Sequence, residues 1–312
     1  MQTTKTSRSP AVRTTDLTKS YDAVTAVAGL NLSVSAGSIF CLLGPNGSGK
    51  TTTVAMLTTL RSPTSGTADV CGYDIVDQPS QVRSVAGVTL QHTGVDDLMT
   101  GAELLSLQAT LQGLGRSAAR RRVAELVELL ALNDHIDTRL GTWSGGLRRR
   151  IDLAAALVHS PRLLFLDEPT TGLDPASRRA LWDEIRRLNT NDGVTVFLTT
   201  QYLEEAEALA DTVSIINHGS LITTASPNDL KDGLGERTLT LRLADPATAS
   251  RAQAVVGGQQ EPDDPSMLRI VIDRNGAPRY LAEVTRAGID VAGLTITEPS
   301  LEDVFLHLTE VA

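Results

Sequence analysis

Short apolar runs alternate with amphipathic stretches from about Val12 to about Thr224, the pattern of strands and helices taking turns in an α/β domain. Ser38–Leu43 is an apolar run that ends at Gly44 and reads as a buried strand; Leu163–Leu166 and Val194–Leu198 read the same way. Helical stretches carry a different period. Val123, Leu126, Val127 and Leu130 fall at i, i+3, i+4 and i+7, and Leu147, Ile151, Ala154 and Val158 line a second stripe. Thr100-Gly101-Ala102-Glu103 has the form of a capping box, and Asp174-Pro175 that of an N-cap with a first-turn proline before Leu181, Ile185 and Leu188. The pattern places a helical stretch, about residues 94–160, between strands of the domain.

Beyond about Pro227 the texture changes. Pro, Gly and Asp breaks separate strands expected at Arg237–Leu243, Met267–Ile272 and Ile289–Thr297 from helices expected near Ala277–Ala287 and Ser300–Leu308. Residues 227–312 therefore read as a small α+β accessory domain behind a main domain of residues 12–226. The Thr/Ser-rich residues 1–11 read as a disordered tail without an apolar signal core.

Composition narrows the function classes. The chain has 312 residues, 41% of them hydrophobic, enough apolar material for a core larger than one average domain. Its formal net charge of -9 argues against a nucleic-acid partner, which needs a basic stripe, and 3% aromatic residues are too few for a base-stacking platform. No apolar run approaches the roughly 20 residues of a membrane span, so direct membrane insertion is not expected. Cys41 and Cys71 sit beside apolar residues and are expected to be buried free thiols in a reducing cytoplasm. The histidines show no ligand spacing. Lysine occurs only at positions 5, 19, 50 and 231, so arginine supplies nearly all the positive charge. Arg120–Arg122 and Arg148–Arg150 are read as solvated helix faces or contacts to partner acids, given that balance.

One of the scarce lysines carries the chemistry. Gly44-Pro45-Asn46-Gly47-Ser48-Gly49-Lys50-Thr51 matches G-x-x-x-x-G-K-[ST] between a strand and a helical stretch. The glycines let backbone N–H groups turn toward one concavity that suits phosphate oxygens, and the following helix adds its positive end. Gly44 through Lys50, Thr51 and Thr52 are the expected nucleotide contacts, with Lys50 reaching the β- and γ-phosphates and the Thr51 hydroxyl serving Mg²⁺, a pattern that many P-loop families share. The run Leu163–Leu166 delivers Asp167 and Glu168 at a strand end: Asp167 for the Mg²⁺ shell, Glu168 to polarise a water for in-line attack.

Trp143-Ser144-Gly145-Gly146-Leu147-Arg148-Arg149-Arg150 lies a short way before Asp167, and here the chain resembles the ATP-binding subunits of ABC transporters. Ser144 can cap the helix it opens, and Gly145 and Gly146 leave its amide end open to an anion. In that family this end binds the γ-phosphate of ATP held by a second subunit, so the resemblance implies a P-loop ATPase domain with an inserted helical subdomain that works as a dimer. Trp143 and Leu147 depart from the usual Leu and Gln. The resemblance also implies adenine stacking for Tyr21, metal and water contact for Gln91, and an interface loop at Gly172-Leu173-Asp174. Gln201 stands where the family normally has a γ-phosphate histidine. Glutamine can donate but cannot carry an imidazolium charge, so slower or differently regulated turnover is expected, with a regulatory subunit of weak hydrolysis as the alternative.

Thr199–Ala206, the Ser-Gly-Gly-Leu-Arg-Arg-Arg segment and Ser300–Leu306 together resemble the daunorubicin-resistance type of ABC exporter ATPase. That resemblance implies a separate transmembrane permease subunit, a peripheral place on the cytoplasmic face of the membrane, and a partner's cytoplasmic helix docking on the region from Gln91 through the helical insertion. A soluble ABC-type ATPase of DNA repair or translation fits less well, because the chain has one ATPase unit, a short insertion and an acidic charge. Leu301, Val304, Phe305 and Leu308 form a late apolar stripe that suits packing on the accessory domain's own sheet or a dimer contact.

Overall fold

The computed structural model describes residues 9–91, 94–273 and 275–310. The chain divides into two compact units, Met1–Ser226 and Pro227–Ala312.

In chain order the first unit runs β1 (Val12–Tyr21), β2 (Val24–Leu30), β3 (Ser33–Val34), β4 (Ile39–Leu43), α1 (Lys50–Leu57), β5 (Ser65–Val70), β6 (Tyr73–Asp74), α2 (Pro79–Val85) and β7 (Ala86–Thr89). The helical insertion follows as α3 (Gly101–Leu111), α4 (Arg116–Leu129), a 3-10 turn at Leu140–Thr142 and α5 (Gly145–Leu157). The sheet resumes with β8 (Leu163–Asp167), α6 (Pro175–Asp192), β9 (Thr195–Thr200), α7 (Leu203–Leu209), β10 (Thr212–Asn217) and β11 (Ser220–Ala225).

Two sheets result. The larger has the order β11-β10-β4-β9-β8-β7, parallel throughout except at the β11 edge. Its inner strands are buried on both faces, which is why they read as unbroken apolar runs. Phe40, Phe165 and Phe197 stack across three neighbouring strands at ring-centroid distances of 4.9 and 5.4 Å. The second sheet is antiparallel, built from β1, β2, β3, β5 and β6, and was not distinguished by the hydropathy pattern. Helix α1 packs between the two, its Val54, Met56 and Leu57 in one core with Val12, Leu17 and Val27 on one side and Phe40, Phe165 and Phe197 on the other. That sandwiching fixes the start of α1, where the Gly/Lys loop sits.

The local expectations hold where caps and stripes carried them. Thr100 and Glu103 form the capping box, each side chain taking the other's backbone N–H at 3.2 and 2.8 Å. Asp174 accepts from Ala176 and Ser177, both at 3.0 Å, and Leu181, Ile185 and Leu188 are buried below it.

The expected tail is corrected at its end: Ala11 is buried, donates to the Val34 carbonyl and accepts from Cys71. Residues 1–8 of that expectation lie outside the described residues. Cys41 is buried and free, whereas Cys71 is free but only half-buried at the left-handed turn after β5.

The second unit contains α8 (Pro227–Gly233), β12 (Glu236–Arg242), α9 (Pro246–Val256), β13 (Gln259–Gln260), β14 (Met267–Asp273), α10 (Ala277–Arg286), β15 (Gly293–Thr297) and α11 (Leu301–Glu310). Its antiparallel sheet has the order β13-β14-β12-β15. Helix α9 escaped the sequence reading, since its buried positions are the small Ala249 and Ala252, which give a weak stripe; Asp245 caps it through Thr248. The strand expected from Ile289 starts only at Gly293, because Ile289 turns into the core instead. Helix α11 buries Leu301 and Val304 and packs against α8, a third answer to the question of what its stripe covers.

Candidate nucleotide site

Strands β4, β7, β8 and β9 end at the same edge of the parallel sheet, the carboxyl edge where α/β folds assemble sites. Gly44 leaves β4 and donates its N–H to the Thr200 carbonyl at 3.2 Å, tying the loop to the end of β9. A Cβ at Gly44 would lie 2.3 Å from the Ile216 carbonyl oxygen, so the loop can pass only as glycine. Gly49 has φ +103, and a Cβ there would lie 2.4 Å from the Ala26 carbonyl oxygen. Pro45, Asn46 and Gly47 form the exposed tip, while Ser48, Gly49 and Lys50 are buried. Thr51 is exposed and Thr52 half-buried on the first turn of α1.

The Lys50 side chain is 4% exposed, and its ammonium is satisfied from three sides. It donates to the carbonyls of Gly44 and Pro45 at 2.9 and 3.0 Å and lies 3.3 Å from Glu168 Oε1. At the end of β8, Asp167 Oδ1 accepts from Thr199 at 2.5 Å and from Thr51 at 3.3 Å. Its Oδ2 is buried and accepts no hydrogen bond from the described residues. Glu168 sits at φ 48, a left-handed conformation for a non-glycine residue, with its N–H on the Thr199 carbonyl at 3.1 Å. Its Oε2 accepts from Gln91 at 3.2 Å and from Thr171 at 3.3 Å. Lys50, Thr51, Gln91, Asp167 and Glu168, drawn from positions more than a hundred residues apart, thus meet at one edge.

Other expected residues stand apart. Tyr21 closes β1, is 43% exposed, and has Lys19 Nζ 5.2 Å above its ring. Ser144 caps α5, its Oγ accepting from Leu147 at 3.4 Å. Gly145 and Gly146 lie against Leu173 and Ser177; a Cβ on Gly146 would meet the Ser177 hydroxyl at 2.8 Å. Among the described residues, no hydrogen bond joins Ser144–Gly146 to the Gly44–Thr52 segment. Gln201 is half-buried and directly follows Thr200, whose carbonyl takes the Gly44 N–H. His92, beside Gln91, lies outside the described residues.

Arg149 corrects the reading of Arg148–Arg150 as a solvated face. It is 6% exposed and donates to the carbonyls of Leu90, Asp167 and Pro169 and to Asp152. Burial pulls its guanidinium down from the ordinary arginine value, opposed by Asp152, Asp167 and Glu205. Burial also pushes Asp152 up to about 6, against the pull of Arg149. Arg148 pairs with Asp97 at 2.7 Å, while Arg120 and Arg121 are exposed as expected. Glu205, fully buried, takes the Trp182 indole N–H at 3.0 Å, and burial raises its carboxyl above the usual range. The stripe of Leu147 and Ile151 gave no hint of Arg149; Leu153 and Ala156, at i+4 and i+7 from it, mark a second buried face of α5 that did.

Comparison with known proteins agrees with this geometry. The ABC transporter family profile matches residues 27–171, and that of the ATP-binding protein DrrA1-3-like C-terminal domain matches residues 226–309. The daunorubicin/doxorubicin resistance ATP-binding protein DrrA of Streptomyces peucetius is 45% identical over 306 residues, covering 96% of this chain and 92% of its own. The doxorubicin resistance ATP-binding protein DrrA of Mycobacterium tuberculosis is 42% identical over 295 residues, with 92% and 89% covered. A dimeric ATP-binding cassette solved in a post-hydrolysis state with ADP and Pi shares the fold, at TM-score 0.63 and 23% identity over 69% of this chain and 98% of that one. The loop around Lys50, the carboxylates of β8 and the full-length likeness agree: the chain belongs to the ABC transporter ATP-binding proteins of the DrrA daunorubicin/doxorubicin resistance type, and it is an ATPase.

Proposed function

We propose that two copies of this chain close around two ATP molecules and thereby drive a separate transmembrane permease that exports a drug, antibiotic or lipid-like substrate from the cytoplasmic face of the membrane. The observation that carries this reading is the separation of the Ser144–Gly146 turn from the chain's own phosphate loop. It presents an exposed helix N-terminus, with Ser144 and Gly145 open to solvent, that among the described residues makes no hydrogen bond to the Gly44–Thr52 segment. A γ-phosphate brought by a second copy satisfies that end. No helix among the described residues is long and apolar enough to cross a membrane, which fits a spanning partner on another chain.

In this reading ATP enters over Gly44–Thr52, and Lys50 turns from Glu168 and the loop carbonyls to the β- and γ-phosphates. Thr51 and Asp167 fit a magnesium ion: hydroxyl and carboxylate lie together, and the buried Oδ2 has no donor to occupy it. Bound there, Mg²⁺ supplies positive charge to the phosphate oxygens. Glu168, oriented by Gln91 and Thr171, accepts the proton of a water as that water attacks the γ-phosphorus and the bond to ADP breaks. Gln201 donates to the γ-phosphate, and Tyr21 stacks on adenine. Closure on ATP is the stroke, and hydrolysis reopens the dimer.

The test is the mass in solution of Glu168→Gln with ATP, alone and combined with Ser144→Arg, together with co-purification of the membrane subunit. Dimerisation by Glu168→Gln and its loss on adding Ser144→Arg are expected. A monomer in both would overturn the sandwich. The alternative of a regulator with weak hydrolysis rests on Gln201 and would show as ATP retained without turnover; the fully oriented Glu168 supports hydrolysis instead.

A further inference from the structure

We infer that Arg149 is the positioning residue that ties the Ser144–Gly146 turn to the reactive carboxylate, so that contact at the start of α5 is felt at Glu168 and Gln91. The inference rests on the dimer reading, since it takes the contact to come from a second copy.

Arg149 is the fifth residue of α5, just over one turn below Ser144, on the same rigid helix. Its Nε donates to the Pro169 carbonyl at 2.9 Å, one terminal nitrogen to the Leu90 carbonyl at 2.7 Å, and the other to the Asp167 carbonyl at 3.2 Å. Leu90 immediately precedes Gln91; Asp167 and Pro169 immediately flank Glu168. One planar fork therefore holds the peptide units beside both side chains that would handle the attacking water, without touching either. Glu168 needs such support, because its left-handed backbone costs about 1–2 kcal/mol for a residue with a Cβ. Gln91 and Glu168 are themselves in contact at 3.2 Å, so a pull on either carbonyl alters their alignment.

Packing alone does not call for an arginine here. Arg149 shares its inward face of α5 with Leu153 and Ala156, and an apolar residue would fill that face without the desolvation cost of a buried guanidinium. What an apolar residue cannot do is link three carbonyls on two strand ends to one helix. Lysine cannot do so either, since its ammonium is a single point and not a fork.

The experiment compares wild type with Arg149→Lys, which keeps the charge and the partner Asp152, and with Arg149→Met/Asp152→Asn, which removes the ion pair as a unit. Expected is a fall in kcat of about tenfold or more in both, from a small misplacement at the reacting atoms. The KM for ATP and the Kd for ATP should stay within about twofold of wild type, because the loss lies in the transition state. ATP-induced dimerisation in the Glu168→Gln background should persist. Unchanged kcat in both variants would overturn the inference. So would a matched loss of ATP affinity, melting temperature and kcat, which marks general structural support. Wild type is weighed in parallel with Glu168→Gln: if neither dimerises with ATP, the dimer reading falls and this inference with it, whereas normal dimerisation with unaltered variant kcat removes the Arg149 role alone.

Discussion

Lys50 Nζ lies 3.3 Å from Glu168 Oε1, so the cation that should hold phosphate is paired with the carboxylate that should activate water. Both side chains are nearly out of solvent, which makes the contact stronger than a surface pair. In the proposed function, ATP breaks it on binding. Glu168→Gln removes both the competing charge and a repulsion toward phosphate. ATP affinity is expected to tighten about tenfold, or ~1.4 kcal/mol. Turnover should fall by about a hundredfold or more with the base gone. Titration calorimetry and phosphate release check the two halves, and weaker ATP binding would contradict the competition.

Thr199 is a hidden support of the site. Its hydroxyl donates to Asp167 Oδ1 at 2.5 Å and accepts the Glu168 N–H at 3.2 Å. Thr199→Val keeps the shape and removes both bonds. The Mg²⁺ concentration for half-maximal activity should rise several-fold, and the first unit should lose about 1 kcal/mol, the scale of a lost hydrogen bond, since Asp167 Oδ1 keeps Thr51 and the Glu168 N–H keeps the Thr199 carbonyl. Magnesium titration at saturating ATP and a urea unfolding curve provide the measurements.

Gln201 emerges from β9 beside the Gly44–Thr200 hydrogen bond. Gln201→Ala should lower kcat by about tenfold, on the scale of one lost phosphate donor, with little change in melting temperature. Gln201→His should restore or raise turnover and add a pH dependence near the ordinary imidazole range of about 6.5. Steady-state rates from pH 5.5 to 8.5 decide it; equal rates for all three proteins would remove Gln201 from the site.

Asp152 titrates at about 6 in the folded chain, against 3.8 for the free side chain. Between those values the folded chain holds a proton that the unfolded chain has released, so this group's contribution falls as pH rises through the window and is constant above about 6. The size is at most about 3 kcal/mol, from a shift near two units. Asp152→Asn removes the dependence, so its stability relative to wild type should climb from pH 4 to 6 and then level off. Urea midpoints across that range would show it, and a flat difference would refute it.

Much of the candidate site was legible because its signals are contiguous. The loop from Gly44 to Thr51 needs its glycines and lysine next to one another, since the backbone of one short turn makes the cradle. Asp167 and Glu168 could be named because two adjacent carboxylates interrupt an apolar run, and such a pair stays buried at a strand end only where it has polar partners. Caps at Thr100, Ser144 and Asp174 were equally plain, each acting on N–H groups two or three residues away.

Tertiary structure decided what those local signals serve. Thr199 looks like any strand residue until β9 is laid beside β8, and Arg149 looks like one of three surface arginines until α5 is turned inward. Helix α9 was hidden because alanines bury little area and leave almost no period. The sequence by itself determined the loop, the strand-end carboxylates, the caps and the family, all properties of neighbouring residues. Only the fold decided that Lys50 rests on Glu168 and that one arginine braces Leu90, Asp167 and Pro169, because those contacts arise from long-range chain closure, where side chains of ordinary local pattern are brought into hydrogen-bond range.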